Sequence, residues 1–318
     1  SDRVRNSETL KLANAIKAQR IIELQNQSHG FKINKTSHIK LTDYIQSVAE
    51  KKSENEVRKT VLHAVVYHLR RYNPNDIQLS RIDKDYILGF LDYLKTAKQT
   101  HTKKEKLLHV NTQVYYYKML RYCLNYAVSE ELISANPMNK IKNEEKPHKH
   151  RTEREYLTID ELRKLAQTPF YNGLLKKAFL FSCFCGLRHS DIIALTWGDI
   201  EMDDDGNSRL YIIQKKTKEA ISLPLSQEAI KQLPKREDAK EDDIIFKKLI
   251  TLGRTNEILP KWAEQAGIKK HITFHTARHT HATMLLTLGV DLYTVSKLLG
   301  HTNIQTTQIY ASAPRMVA

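Results

Sequence analysis

The stretch LLGHTNIQTTQIYA, residues 298–311, sets His301 directly after a glycine and Tyr310 nine residues later. A phenol ionises near pH 10, so it becomes a nucleophile at neutral pH only beside cations or a base. Cations are available upstream. In TFHTARHTHATMLLTLG, residues 273–289, His275 and Arg278 stand three residues apart, on one face near the start of a helical pattern. Ala277, Ala282, Leu285 and Leu286 make that helix's apolar side. A helix start bearing His and Arg suits a phosphate oxygen through its dipole, its N–H groups and its charge. In CGLRHSDIIALTW, residues 185–197, Arg188 follows Gly-Leu at the start of an amphipathic helix, with Asp191 three residues on to brace it. The segment QKKTK offers Lys215, Lys216 and Lys218 in a hairpin turn.

Other chemistries lack their residues. His275 and His279 have the four-residue step of two zinc ligands on one helix, but no Glu lies between them as in H-E-x-x-H and no cysteine pair is near. No metal is therefore expected. A Gly-rich phosphate loop of the G-x-x-x-x-G-K-[ST] type is missing, which leaves ATP-driven chemistry unsupported, and no acidic cluster suggests a two-metal nuclease. What the residues do suit is a phosphodiester. Its transition state gathers negative charge on equatorial oxygens, which bidentate arginines answer better than lysines. The alkoxide leaving group needs a proton, which a lysine in a turn can deliver, and none of these steps requires a cofactor.

In order along the chain, G-L-R-x-x-[DE], a hairpin K-T, H-x-x-R-H, L-G-H and a tyrosine nine residues later resemble the tyrosine recombinase family, the phage-type integrases. The resemblance covers residues 156–312, and the helical segment before it looks like that family's core-binding domain. It implies a mainly α fold: a helical, SAM-like core-binding domain and an α-rich catalytic domain with a small β-hairpin or sheet, closing as a C-shaped clamp on DNA. It implies that Arg188 and Arg278 clamp the non-bridging oxygens of the scissile phosphate. Lys216, with Lys215 as its rival, would protonate the leaving 5′ oxygen. His275 would be the acid/base histidine, His301 the second histidine on the phosphate, and Tyr310 the nucleophile, with Asp191 bracing Arg188. The implied activity is site-specific recombination through a 3′-phosphotyrosine, integrating or excising a mobile element. The implied partners are double-stranded DNA sites, a homo-tetramer at synapsis from free monomers, and accessory DNA-bending proteins. A catalytically idle DNA-binding protein and a type IB topoisomerase-like nicking and religating enzyme are the alternatives. The complete set of six residues argues against the first, and the two-domain layout and box spacing against the second.

The chain departs from the family at two places. Many members carry Glu where this chain has Asp191, which preserves the carboxylate. Many have a further helix after the tyrosine that docks on a neighbouring protomer, whereas ASAPRMVA follows Tyr310 here.

The elements that must hold these residues are mostly helical. Ten glycines and eight prolines in 318 residues leave little material for a turn-rich β architecture. Residues 1–35 are expected to form a coupling helix, with a thin stripe of Leu10, Ala13, Ile16, Ile21 and Leu24 and a stop at Gly30. It resembles the linker helix behind an arm-type DNA-binding domain, so a longer natural chain is expected. Residues 36–142 are expected to be the core-binding domain, with four helices. The second carries Val57, Val61, Val65 and Leu69 at four-residue steps, and the third starts on Ser80 as N-cap. The fourth carries Tyr116, Leu120, Leu124 and Val128 on one face. The basic loop KQTHTKKEKLLHV between the third and fourth could track phosphates or be solvated linker. Residues 143–155, NEEKPHKHRTERE, have no apolar side chain and are expected to link the domains. The catalytic domain, 156–318, opens on a capping box, Thr158 with Glu161.

Composition agrees with a polyanion partner. The chain carries a formal charge of +15 and a pI near 9.5. Lys and Arg outnumber Asp and Glu by 27 to 16 in residues 1–150 but only by 24 to 20 thereafter, so the excess sits in the front half. DNA binding is therefore expected to weaken steeply with salt. Cys123, Cys183 and Cys185 lack a framework spacing and are expected to be buried thiols in a reducing cytoplasm. No apolar run is long enough to span a membrane.

Overall fold

The computed structural model describes residues 9, 10, 12–18, 21, 38–52, 56–99, 106–150, 154–203 and 205–310. The chain divides into two compact units, Ser1–Arg151 and Thr152–Ala318. Residues 9, 10, 12–18 and 21 are helical, and Leu10, Leu12, Ile16 and Ile21 are exposed. The expected stop at Gly30 lies outside the described residues, as do residues 100–105 of the basic loop.

Four helices build the described core of the first unit: α1 (Leu41–Lys52), α2 (Glu56–Tyr72), α3 (Lys84–Thr96) and α4 (Val110–Ser129). Their apolar faces meet around Ile45, Leu62, Leu69, Phe90, Leu120 and Leu124. The α2 stripe differs from the expected one at its start. Val65 and Leu69 are buried, but Val57 is exposed, and Leu62 and Val66 complete the buried face. The N-cap of α3 is Asp83, which accepts the Tyr86 N–H, and not Ser80. A 3-10 turn, Leu79–Arg81, occupies the Ser80 position because Leu79 is drawn into the core. The ends of the basic loop are tied by a short bridge, Gln99 N–H to the Lys106 carbonyl and Leu108 N–H to that of Ala97. The first eight residues of the charged run 143–155 bind to this unit: Glu145 pairs with Lys84 at 2.8 Å, and His150 and Asn111 exchange hydrogen bonds.

The second unit opens with α5 (Ile159–Gln167), where Thr158 and Glu161 form the expected reciprocal cap. Helix α6 (Gly173–Cys185) is apolar nearly all round and correspondingly buried, Cys183 and Cys185 included. It packs beside α10 (Phe274–Thr287), and Phe179, Phe274 and Trp262 interlock at 6.0 Å between ring centres. Between them in sequence come the single turn α7 (His189–Ile192) and β1 (Ile200–Met202), β2 (Ser208–Ile213) and β3 (Ala220–Pro224). The strands form an antiparallel meander in the order β1-β2-β3, one strand more than a hairpin, with Leu210 opposite Leu223 facing the core. Helices α8 (Gln227–Ile230) and α9 (Leu252–Gln265) follow, and α11 (Leu292–Leu298) and α12 (Gln305–Gln308) come after α10. A small separate apolar cluster, Ala282, Val295, Leu299 and Tyr310, holds this last segment against α10.

Candidate active site

Two glycines create the backbone on which the site is built. Gly186 ends α6 in the left-handed region, φ +70°, where other residues are strained. The chain then turns so that Arg188 becomes the N-cap residue of α7, and the Gly186 carbonyl accepts a hydrogen bond from Arg278 Nη1 at 2.8 Å. Gly300 ends α11 in the same way, φ +62°, with its N–H on Lys297 and the His301 N–H on Ser296. That turn frees the Leu299 carbonyl, which accepts from Arg278 Nη2 and, at 3.0 Å, from Gln214 Nε2.

Arg278 is 1 % exposed, so its guanidinium is held by these two carbonyls in a dry site. Burial, and then Arg188, lower its pKa to about 10, while Tyr310 and Asp191 oppose the shift. Arg188 Nη1 donates to Gln214 Oε1 at 2.5 Å, and that oxygen also takes the Thr217 hydroxyl at 2.8 Å. Gln214, wholly buried just before the β2–β3 turn, thus ties Arg188 to the turn and to Leu299. Asp191 makes a second tie. It accepts the Arg188 N–H at 3.3 Å and the Lys215 N–H at 3.1 Å, and lies 3.9 Å from Arg188 Nη1. Its bracing is therefore mainly of backbone, and it reaches the turn as well as α7. Lys215 and Lys216 are both exposed in that turn, and the charge of Lys216 is felt at His275.

Three imidazoles line the same space. His275 reaches the surface between the buried Phe274 and Thr276 at the start of α10, and the protein packed around its ring, then Arg278, Arg154, Arg188 and Lys216, lower its pKa to about 4. His301 gives or takes a hydrogen bond through Nδ1 with the buried Thr307 hydroxyl at 2.8 Å, and its pKa too falls to about 4 through burial and the two arginines. His279, one turn after His275, meets it edge to face at 4.5 Å and places Nδ1 2.7 Å from the Tyr310 hydroxyl. Tyr310 is 6 % exposed. Burial raises its pKa, opposed by Arg278, Arg154 and Arg188.

The structure thus gathers Arg188, Asp191, His275, Arg278, His301 and Tyr310 about one space, with Lys216 at its rim. It also adds Gln214, Thr307, His279 and Arg154. Arg154 falls within the charged run expected to be linker, yet its charge reaches His275, His279, His301 and Tyr310. The signal for His279 was its four-residue step from His275, which puts both on one face. Among the described residues no group of His, Cys, Asp and Glu is placed to hold a metal ion, and no helix is long and apolar enough to cross a membrane.

Comparison with known proteins agrees over both units. The profile of the Phage integrase family matches residues 155–315, and that of the Phage integrase SAM-like domain matches residues 40–145. A tyrosine recombinase of Pseudothermotoga lettingae is 29 % identical over 243 residues, 74 % of this chain and 80 % of its own. Tyrosine recombinase XerD of Listeria monocytogenes is 27 % identical over 293 residues, 82 % of this chain and 95 % of its own. In fold, a lambda integrase dimer bound to a core site superposes with a TM-score of 0.67 at 20 % identity, covering 86 % of this chain and 94 % of that one. The Tn1549 transposon integrase in complex with a circular intermediate DNA gives 0.67 at 15 %, covering 86 % and 95 %.

Proposed function

Because the chain belongs to the phage integrase family and is a tyrosine-type site-specific recombinase, we propose that Tyr310 attacks a phosphodiester of double-stranded DNA and holds the cut strand as a 3′-phosphotyrosine. Arg188 and Arg278 take the non-bridging oxygens, where negative charge grows in the transition state. Lys216 protonates the 5′ oxygen as it leaves. Lys216 is preferred to Lys215 as the lysine that directly precedes Thr217 in the turn. His275 stands at the place of the family's acid/base histidine. His301, its Nδ1 occupied by Thr307, turns Nε2 to the phosphate. The aryl phosphodiester conserves the bond energy, so the 5′-hydroxyl of a second strand reverses the attack and joins new partners. Four protomers, monomeric when free, assemble on two sites and exchange strands pairwise, with accessory DNA-bending proteins. The reaction integrates or excises a mobile element in the bacterial cytoplasm. The Tn1549 transposon and lambda integrases, both recorded on DNA, support DNA as the substrate and a mobile element as the source.

The observation that carries the reading is the convergence of two arginines beside one buried phenol: Arg188 and Arg278 are tied together through Gln214 and the Leu299 carbonyl, and Leu299 packs in one cluster with Tyr310. The test needs no known site. The protein is incubated with sheared genomic DNA in EDTA, denatured in SDS and digested with nuclease, and nucleotide-bearing peptides are mapped by mass spectrometry. Nucleotide is expected on Tyr310 and is lost in Tyr310→Phe. A DNA-binding sample that yields no adduct would sink the reading in favour of an idle binder. Sequencing the captured DNA then separates ends of a mobile element from a fixed chromosomal site.

A further inference from the structure

The nucleophile has a partner, the last histidine of the H-x-x-R-H box, to which the resemblance gave no role. Tyr310 Oη lies 2.7 Å from His279 Nδ1, both side chains are 6 % exposed, and their rings are 5.3 Å apart at 50°. Of the three imidazoles in the site, this is the one in contact with the phenol. His301 Nδ1 is committed to Thr307, and His275 meets His279 edge to face. We propose that His279 is the catalytic base that takes the proton of Tyr310, acting through a bare Nδ1.

The inference rests on Tyr310 being the nucleophile, and the step balances. As Tyr310 Oη bonds to phosphorus its proton passes to His279 Nδ1. The bond from phosphorus to the 5′ oxygen breaks, and that oxygen takes a proton from Lys216. One bond forms and one breaks, and the phosphodiester remains a monoanion. In the return step His279 gives the proton back to the departing phenolate.

The groups facing His279 explain why it would wait for substrate. Burial, and then His275, Arg154, Arg278 and His301, hold its pKa down at about 3 in the empty site. A phosphate monoanion between Arg188 and Arg278 opposes those positive charges and raises the basicity of the ring. The phenol is thus deprotonated when DNA is in place rather than before.

The tautomer is read first, on the full chain without DNA, by ¹⁵N NMR of labelled histidines, with His279→Gln assigning the resonance. A neutral ring with bare Nδ1 and protonated Nε2 is expected, and a proton on Nδ1 overturns the proposal. The second arm follows adduct formation on sheared genomic DNA against pH. His279→Ala is expected to slow it about 100-fold and to give a rate that climbs with pH as solvent takes over. His279→Gln, which can hold the phenol but cannot accept its proton, is expected to be as slow. A rate within twofold of wild type for Gln would reduce His279 to a positioning residue and overturn the proposal. Absence of adduct from wild type would instead overturn the recombinase reading and the proposal with it, whereas a proton on Nδ1 overturns the proposal alone.

Discussion

At the scale of single residues, the site depends on groups that hold other protein groups in place. Gly300 shows this most directly. A Cβ there would stand 2.5 Å from Gln214 Oε1 and 2.9 Å from Nε2, on backbone at φ +62°. Gly300→Ala must displace the amide that holds Arg188 and shares the Leu299 carbonyl. The left-handed backbone and the lost bonds should together cost roughly 1–3 kcal/mol, read by urea unfolding, and adduct formation should fall with it. An unchanged midpoint would mean that Gln214 shifts freely and is no hub. Arg188, Arg278, His275, His301 and Tyr310, which the structure brings about one space, were picked out in the sequence by the order and spacing of the boxes that carry the family resemblance. Gln214 and Thr307 were not, since an amide or hydroxyl that binds other protein groups has no distinguishing neighbours in the chain. His279 lay between these cases: its spacing was plain, but the tyrosine it meets is 31 residues away.

At the scale of elements, α6, α7, the β2–β3 turn, α10 and the segment from the end of α11 to Tyr310 all contribute groups, so their mutual placement is the site. Asp191 connects two of them, one oxygen on the Arg188 N–H and the other on the Lys215 N–H, at 4 % exposure. Asn in its place offers one acceptor where two N–H donors are aimed. One donor is then left unpaired, at about 1–3 kcal/mol. Asp191→Asn should lower stability by that amount and slow adduct formation by loosening the turn that carries Lys216. A normal rate in a destabilised protein would show that the turn is held without Asp191. The helices themselves followed from periodicity and caps, Thr158 with Glu161 being the clearest case. Misplaced starts arose where the core overrode a local signal: Leu79 buries itself and pushes the cap of α3 from Ser80 to Asp83. The extra strand β1 is three residues long, too short for any period to announce it.

At the scale of the molecule, each unit conceals histidine that cannot be charged where it lies. His68 in the first unit and His281 in the second are 1 % and 6 % exposed, and burial lowers both to about 4, with Arg71 and Arg278 adding to it. A depressed folded pKa means that the unfolded chain binds more protons between about 6.5 and 4. Stability is therefore full above 6.5 and falls as pH drops through that window, by roughly 3 kcal/mol per ring at its foot. Urea unfolding at pH 7, 5.5 and 4.5 should show this acid limb, and a flat profile would mean that the rings reach solvent or a partner. The second unit has a further property that follows from its small cluster of Ala282, Val295, Leu299 and Tyr310. On the proposed reading the phenol is both the reagent and part of the apolar grip that fastens its own segment to α10. Any motion that carries Tyr310 toward a phosphate also weakens that grip, and any loosening of the segment withdraws the nucleophile from His279. Reactivity and local order are thus coupled in one side chain, so a more firmly seated tyrosine would be a less available one.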